Sequence, residues 1–492
     1  EWKENIFLPS IEADFINRII KKCSTVIITS FGSPYLIQDF PEAPVYICAY
    51  KGSSVMQKAF LNALMGESDI NGILPVTIPG IAKRGSGINL KSIKWEKKEQ
   101  SWIPGKEIKR IRPNEISVNV DETKQMLLEA VADSAFPGGV ILAAKNGDIF
   151  LHKAFGYHTY SKKKPVMRGN IYDLASITKV VATTSALMKL VDEKKLSLDD
   201  KVITYLPEFI GKQKMFFDQK SKVTIRHLIT HTSGLPPFKK YFLMDGNIQT
   251  KIDSIMNTEP EIPLNQKMIY SDIGLIVLGK IIESVSQSSL DEYVDSVVFK
   301  PLGMKTTFYN PPIEKIKRII PTEYSSLYGE TIIGYVHDEN AKSIGGIAGH
   351  AGLFSTASDL SIFSQMMLNG GIYGWKRIFK SQSVTNFTKR ANTIEGSSRA
   401  LGWDTPSGQS SGGVYLSASS FGHTGFTGTS LWIDPENQIF VILLTNAVHP
   451  NRNYKNPNYF DWRQKIHSSV YEELGFSEKR NDLEWRERWI EN

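Results

Sequence analysis

The sequence predicts an α+β domain whose antiparallel sheet is built from both ends of the domain, behind a small, partial α/β layer. Three observations lead there. Residues 138–156, "GGVILAAKNGDIFLHKAFG", read as two apolar-rich strands around Asn146-Gly147, a pair suited to a type I′ turn. Residues 429–447, "TSLWIDPENQIFVILLTNA", repeat the pattern, turning at Asp434-Pro435-Glu436-Asn437. Helical segments bracket these strands at 121–136 and about 461–474, with a long helical middle between, which is an α+β layout.

Taken in order, residues 25–30 ("TVIITS") and 45–50 ("VYICAY") are short β-rich runs. Residues 54–66 ("SVMQKAFLNALMG") carry apolar residues at helical spacing and stop on a glycine suited to a C-cap. Strands alternating with helices imply a parallel layer, here with fewer than three units. Residues 1–85 are therefore a partial α/β domain. Residues 86–117 turn basic and polar and read as a linker, and a larger domain occupies 118–492. Its first helix, "DETKQMLLEAVADSAF", is amphipathic with acids in the first turn. The charged tail "SEKRNDLEWRERWIEN" (477–492) is expected to be a helix over the junction of the two domains.

The chain has 492 residues, is 41% apolar and 22% charged, and fits a globular protein of two domains. No apolar run approaches the roughly 20 residues a membrane span needs. The opening "EWKENIF" carries no signal-peptide pattern and reads as a point inside a longer protein. Net charge is +7, concentrated in residues 91–113, "KSIKWEKKEQSWIPGKEIKRIRP". Aromatics do not interleave with these bases as nucleic-acid binding requires, so a solvated linker is expected. The two cysteines, Cys23 and Cys48, are too few for zinc. Cys48, in an apolar run, should be a buried free thiol.

Chemistry concentrates in three places. In "YDLASITKV" (172–180), Ser176 and Lys179 are three apart and share a helix face. A serine at a helix N-terminus meets backbone N–H groups that stabilise developing negative charge. Lysine, normally charged, becomes a usable base when burial lowers its pKa. In "MIYSDIG" (268–274), Tyr270 and Asp272 precede an apolar helix, and the tyrosine hydroxyl is placed to relay a proton. A loop tyrosine beside a capping Ser271 or Asp272 fits the same residues. In "FGHTGFTGTSLWIDP" (421–435), glycines flank His423-Thr424 and let a strand edge approach substrate. A tight turn with a surface histidine is the plainer alternative.

In this order the three elements resemble the serine β-lactamase, penicillin-binding protein and esterase superfamily, whose signature is Ser-x-x-Lys, Tyr-x-Asn and Lys/His-Thr-Gly. "TIRHLITHTSGLP" (224–236) and "GIAGHAGLFSTASDLSIF" (346–363) extend the resemblance, to class C enzymes in particular. It implies a β-lactamase-like fold with Ser176 as nucleophile, Lys179 as base and Tyr270 as proton relay. The backbone N–H groups of Ser176 and Phe426 would form the oxyanion hole, with Asp272, His423, Thr424 and Gly425 lining the substrate. His227, His231 and Thr232 are expected to be structural. Two departures stand out. Asp272 replaces an asparagine, and His423 replaces a lysine, making the positive charge there pH-dependent. Both favour an esterase, peptidase or amidase over efficient antibiotic hydrolysis.

His337, Asp338 and Glu339 are consecutive and cannot all face one ion, so an ordered loop is expected and neither metal nor cofactor is implied. Separately, "SFGSPYLI", "ICAY" and "GESDINGILPVTIPG" (within residues 30–80) resemble the end of the C-terminal sandwich domain of family-three glycoside hydrolases. That resemblance implies a longer chain carrying a glycosidase barrel, an extracytoplasmic setting and a cell-wall substrate. The expected reaction is acyl-enzyme hydrolysis of the N-acetylmuramoyl–L-alanine bond. Carboxylesterase or weak β-lactamase activity is the alternative within enzymes; a binding module with a relic site is the alternative outside them. Muropeptide, ester or β-lactam are the candidate substrates.

Overall fold

The computed structural model describes residues 8–23, 26–64, 66, 68–92, 105–110, 118–210, 218–454 and 457–490. The chain divides into two compact units, Glu1–Trp102 and Ile103–Asn492.

In the first unit, helix α1 (Ser10–Lys22) has Glu12 in its first turn and Lys21 and Lys22 in its last, matching the helix dipole. Strands β1 (Ile27–Ser30) and β2 (Val45–Cys48) pair in parallel, Ile27 opposite Val45, and helix α2 (Ser54–Leu64) follows. Both cysteines are free; Cys48 is half-buried rather than buried, because β2 belongs to a layer of only two strands.

The second unit is built on a six-stranded sheet. Its strands are β3 (Lys109–Arg110), β4 (Gly138–Lys145), β5 (Asp148–Gly156), β9 (Phe421–Thr424), β10 (Thr429–Asp434) and β11 (Ile439–Thr445), in the order β9-β10-β11-β4-β5-β3. All neighbours are antiparallel except β3 and β5. The β4–β5 turn has φ 54° at Asn146 and 82° at Gly147, the two positive values a type I′ turn requires. Part of the stretch read as a linker thus joins the sheet edge; most of residues 91–113 lies outside the described residues.

The apolar runs in β4 and β11 follow from burial on both faces. Val140, Leu142, Phe440, Ile442 and Leu444 enter one core, while Ile141, Ala143, Ile439, Val441 and Leu443 enter the other. Side chains alternate across a strand, so a strand covered on both faces is apolar throughout. Helices α3 (Asp121–Ala132) and α7 (Pro457–Glu472) cover the second face, joined by a 2.9 Å bond between the Thr123 and Ser469 hydroxyls.

The other face carries α4 (Ser185–Asp192), α5 (Asp272–Ser286) and α6 (Ala357–Leu368), with a small sheet of β6 (Tyr172–Asp173), β8 (Leu353–Ser355) and β7 (Phe308–Tyr309). Among the described residues no single helix is long and apolar enough to cross a membrane. The tail is not the expected helix. It runs mostly irregularly over its own domain, Leu483 in the core and Trp489 edge-on to Trp462 of α7 at 5.1 Å, because its apolar residues follow no helical period.

Candidate active site

Ser176 stands at the end of β6. The Asp173 carboxylate accepts the Ala175 N–H at 2.8 Å and the His337 N–H at 2.7 Å, closing the turn. Ala175 is held at φ 46°, a conformation that costs a non-glycine residue on the order of 1 kcal/mol or more. The strained turn brings Ser176 to the surface: between residues 171 and 188 it is the one residue not buried. The helix expected after it begins as a 3₁₀ turn (Ala175–Ile177) and a π turn (Lys179–Thr184) before α4. The Thr184 hydroxyl donates to the Lys179 carbonyl at 2.7 Å across that wide turn. Such widened turns recur at functional sites.

Lys179 is 1% exposed, and three acceptors ring its Nζ. It donates to Ser176 Oγ at 2.8 Å and to the His350 carbonyl at 3.0 Å, and Asp272 Oδ1 lies 2.8 Å away. The Asp272 contact is an ion pair whose alignment falls short of a hydrogen bond. The His350 carbonyl is delivered by the glycine-rich segment before β8, fastened by the Thr183 hydroxyl donating to the Gly349 carbonyl at 2.7 Å. The Tyr270 ring lies 4.9 Å from Nζ.

Lys179 is not the neutral amine expected from burial alone. Burial does push Lys179 down, but the Asp272 carboxylate and the Tyr270 hydroxyl push harder, and the pKa ends above the ordinary lysine value. Asp272, expected to line the substrate, is the charge partner of this amine, because Ser271 caps α5 and leaves the next carboxylate beside Nζ.

His423 is not the titrating cation expected at this position. It is buried beside Arg399, and burial outweighs the pull of Asp404 to bring its pKa to about 4. The ring is therefore neutral, its Nδ1 donating to the Thr424 carbonyl at 2.8 Å and Nε2 facing Arg399 Nη1 at 3.4 Å. The fixed positive charge comes from Arg399, a residue that no sequence motif marks. Its guanidinium pairs with Asp404 at 3.0 Å and lies 4.9 Å from the Tyr270 ring. The only signal was a lone base in "SSRALGW" (397–403).

Tyr270 is also fixed by His231, whose ring lies 4.7 Å away and whose Nδ1 accepts the Ser271 N–H at 3.0 Å. Burial, with Arg399 and Lys179 nearby, keeps His231 neutral. It packs directly behind the site. His227 caps the helix Ile225–Ile229 with Thr224, while Thr232 is buried against Thr230.

The segment from Thr424 to Thr429 lies against the serine turn. Thr427 Oγ1 donates to the Asp173 carbonyl at 2.8 Å and Thr429 Oγ1 to the Leu174 carbonyl at 3.0 Å. Phe426 leaves its side chain 47% exposed beside His337, ring centroids 5.7 Å apart.

His337, Asp338 and Glu339 do point apart, to Glu323, His350 and Arg452 respectively. Asp272, Asp338 and His350 bring possible ligand atoms within 4.8 Å of one another. The donor set does not suit a metal, however, because the Lys179 ammonium already occupies the cation's place at Asp272 and His350 is paired with Asp338.

A model of the family described as Beta-lactamase matches residues 123–464. The chain belongs to that family. A protein of Salmonella agona, described as "Putative D-alanyl-D-alanine carboxypeptidase", is 36% identical over 364 residues, 67% of this chain and 83% of that one. The protein of the same description from Salmonella typhi is 36% identical over 361 residues, again 67% and 83%. Two solved structures share the fold. The octameric penicillin-binding protein homologue of Pyrococcus abyssi has a TM-score of 0.54 at 23% identity, over 70% of this chain and 81% of its own. A penicillin-binding protein homologue of Caulobacter crescentus has 0.58 at 17%, over 72% and 97%. Like its family, this β-lactamase-type protein is a serine hydrolase.

Proposed function

We infer that the enzyme hydrolyses an amide bond in muropeptides, outside the cytoplasm, through an acyl-enzyme on Ser176. Lys179 and Tyr270 move the serine's proton to the leaving amine, and the N–H groups of Ser176 and Phe426 hold the oxyanion. His423, Thr424 and Gly425 line the substrate along β9. The observation that carries the substrate class is Arg399: a largely buried guanidinium beside Tyr270 and His423 suits a substrate with a free carboxylate near the scissile bond. Muropeptides carry such carboxylates; simple esters do not.

Of the two amides in question, the N-acetylmuramoyl–L-alanine bond comes first, supported by the resemblance of residues 1–85 to a glycosidase sandwich domain. Release of a terminal D-alanine is the second reading, favoured by the description of the Salmonella relatives. Mass spectrometry of digested muropeptides separates them. Free peptide with N-acetylmuramic acid supports the first and free D-alanine the second; neither product, with p-nitrophenyl esters turned over, removes the cell-wall reading.

A further inference from the structure

The acyl-transfer reaction needs a group to take the Ser176 proton, and the resting geometry leaves the lysine unable to do so. Lys179 Nζ donates to Ser176 Oγ at 2.8 Å and to the His350 carbonyl at 3.0 Å and pairs with Asp272 Oδ1 at 2.8 Å, the surroundings of an ammonium, which already carries three protons. A fourth proton has no place on that nitrogen. We propose that Asp272 is the proton acceptor for acylation, reached through Lys179, so that the lysine is a relay between serine and carboxylate.

As the Asp272 ion pair turns into a hydrogen bond, Lys179 passes one proton from Nζ to Asp272 Oδ1 and takes the Ser176 proton in exchange. Ser176 Oγ bonds the substrate carbonyl carbon, whose π electrons move to the oxyanion. Lys179 remains an ammonium, and Asp272 becomes a neutral acid. On collapse the oxyanion reforms the carbonyl and expels the leaving group. Asp272 then returns its proton through Lys179, and Tyr270 carries one on to the departing amine. The carboxylate is neutral while the oxyanion exists, so two negative charges never face each other across one amine.

The surroundings support this direction of transfer. Asp338 and the His350 ring lie within 4.8 Å of the Asp272 carboxylate, and Asp338 is paired with His350. That leaves Asp272 beside an acid already engaged. From the other elements packed there, Tyr270, His231, His423 and Arg399 face the lysine, with both histidines held neutral and Arg399 paired to Asp404.

The proposal rests on the serine-hydrolase chemistry and not on the muropeptide, so its test uses the rate at which a fluorophosphonate labels Ser176 between pH 4 and 10. In the natural protein the rate should show an acid limb, against which the variants are compared. In Asp272→Asn the only remaining base is a deprotonated lysine. The limb should then rise by about two pH units or more, so that labelling at a pH below the natural limb falls by about a hundredfold. Asp272→Glu should bring the limb back toward its natural position. An unchanged limb in Asp272→Asn, even with a lower maximum, would show that Asp272 only positions the lysine and overturn the proposal. Should the asparagine variant not fold, Asp272→Ser takes its place, and an unchanged limb there overturns the proposal as well.

Discussion

The hydroxyl of Thr429 donates to the carbonyl of Leu174 at 3.0 Å, tying the start of β10 to the turn that carries Ser176. Gly425 lies inside this joint. A β-carbon there would stand 2.3 Å from the Leu174 oxygen and 2.1 Å from Thr429 Oγ1, and the carbonyl cannot yield. Gly425→Ala should therefore push the Phe426 N–H away from the serine turn. The expected result is a loss of about a hundredfold in turnover, comparable to removal of one oxyanion donor. Thermal stability and KM should change far less. A variant that unfolds, or one at natural turnover, would each contradict this.

Lys179→Met keeps the length of the buried stem and removes the charge. Turnover should fall by about a thousandfold or more, as it should in Ser176→Ala, since the parts act as a unit. Stability should fall by about 3 kcal/mol, because the change removes one partner of a buried pair and leaves the Asp272 carboxylate and the His350 carbonyl without theirs. The freed Asp272 side chain, 23% exposed, can hydrate. Lys179→Ala adds a cavity and should cost about 2 kcal/mol more. Urea unfolding of the three variants measures both effects.

Much of this was legible in the sequence, for reasons that also mark what was not. The hairpin at Asn146-Gly147 shows because its residues meet a local φ requirement. Ser176 and Lys179 show because three-residue spacing is a local helical relationship, and their 2.8 Å contact follows from it. The charge on Lys179 does not show, since it depends on a carboxylate at the head of another helix. Arg399 was missed because its loop has no period to expose a functional position. His423 was misjudged because nothing local reports that the end of β9 is buried. The tail misled because its charges resemble a solvated helix, while Leu483 and Trp489 pack inward.

Acid should destabilise the fold earlier than carboxylates alone would. His158 and His423 are held at about 4 and His467 at about 3, burial being the main cause for each. A histidine whose folded pKa lies below its unfolded value of about 6.5 contributes stability that is complete above that value. That stability is lost as pH falls toward the folded pKa. Glu323, held near 2 by His337 and Arg452 despite burial, loses its contribution only below about 4.5. The melting temperature should thus begin to fall below about pH 6.5. His467→Asn removes one titrating group and should make that slope shallower; scanning fluorimetry from pH 8 to 4 reads it. A flat profile down to pH 5 would contradict the buried neutral histidines.

The C-terminal tail should be part of the domain's stability rather than an appendage. Leu483 is fully buried in the core between the sheet and helices α3 and α7. Arg486 pairs with Asp461 of α7, and the Trp489 indole N–H donates to the Asp461 carbonyl at 2.9 Å. Removing a buried leucine side chain costs both its transfer energy and the cavity it leaves, about 2–5 kcal/mol. Leu483→Ala should lower the urea midpoint of the hydrolase unit accordingly while leaving Ser176 labelling at its natural rate below the transition. The tail joins the face of the sheet opposite α4 and α5, so the reactive serine should not sense the change until the domain opens. A midpoint shift equivalent to less than about 0.5 kcal/mol, the usual range for surface substitutions, would show that the tail is peripheral.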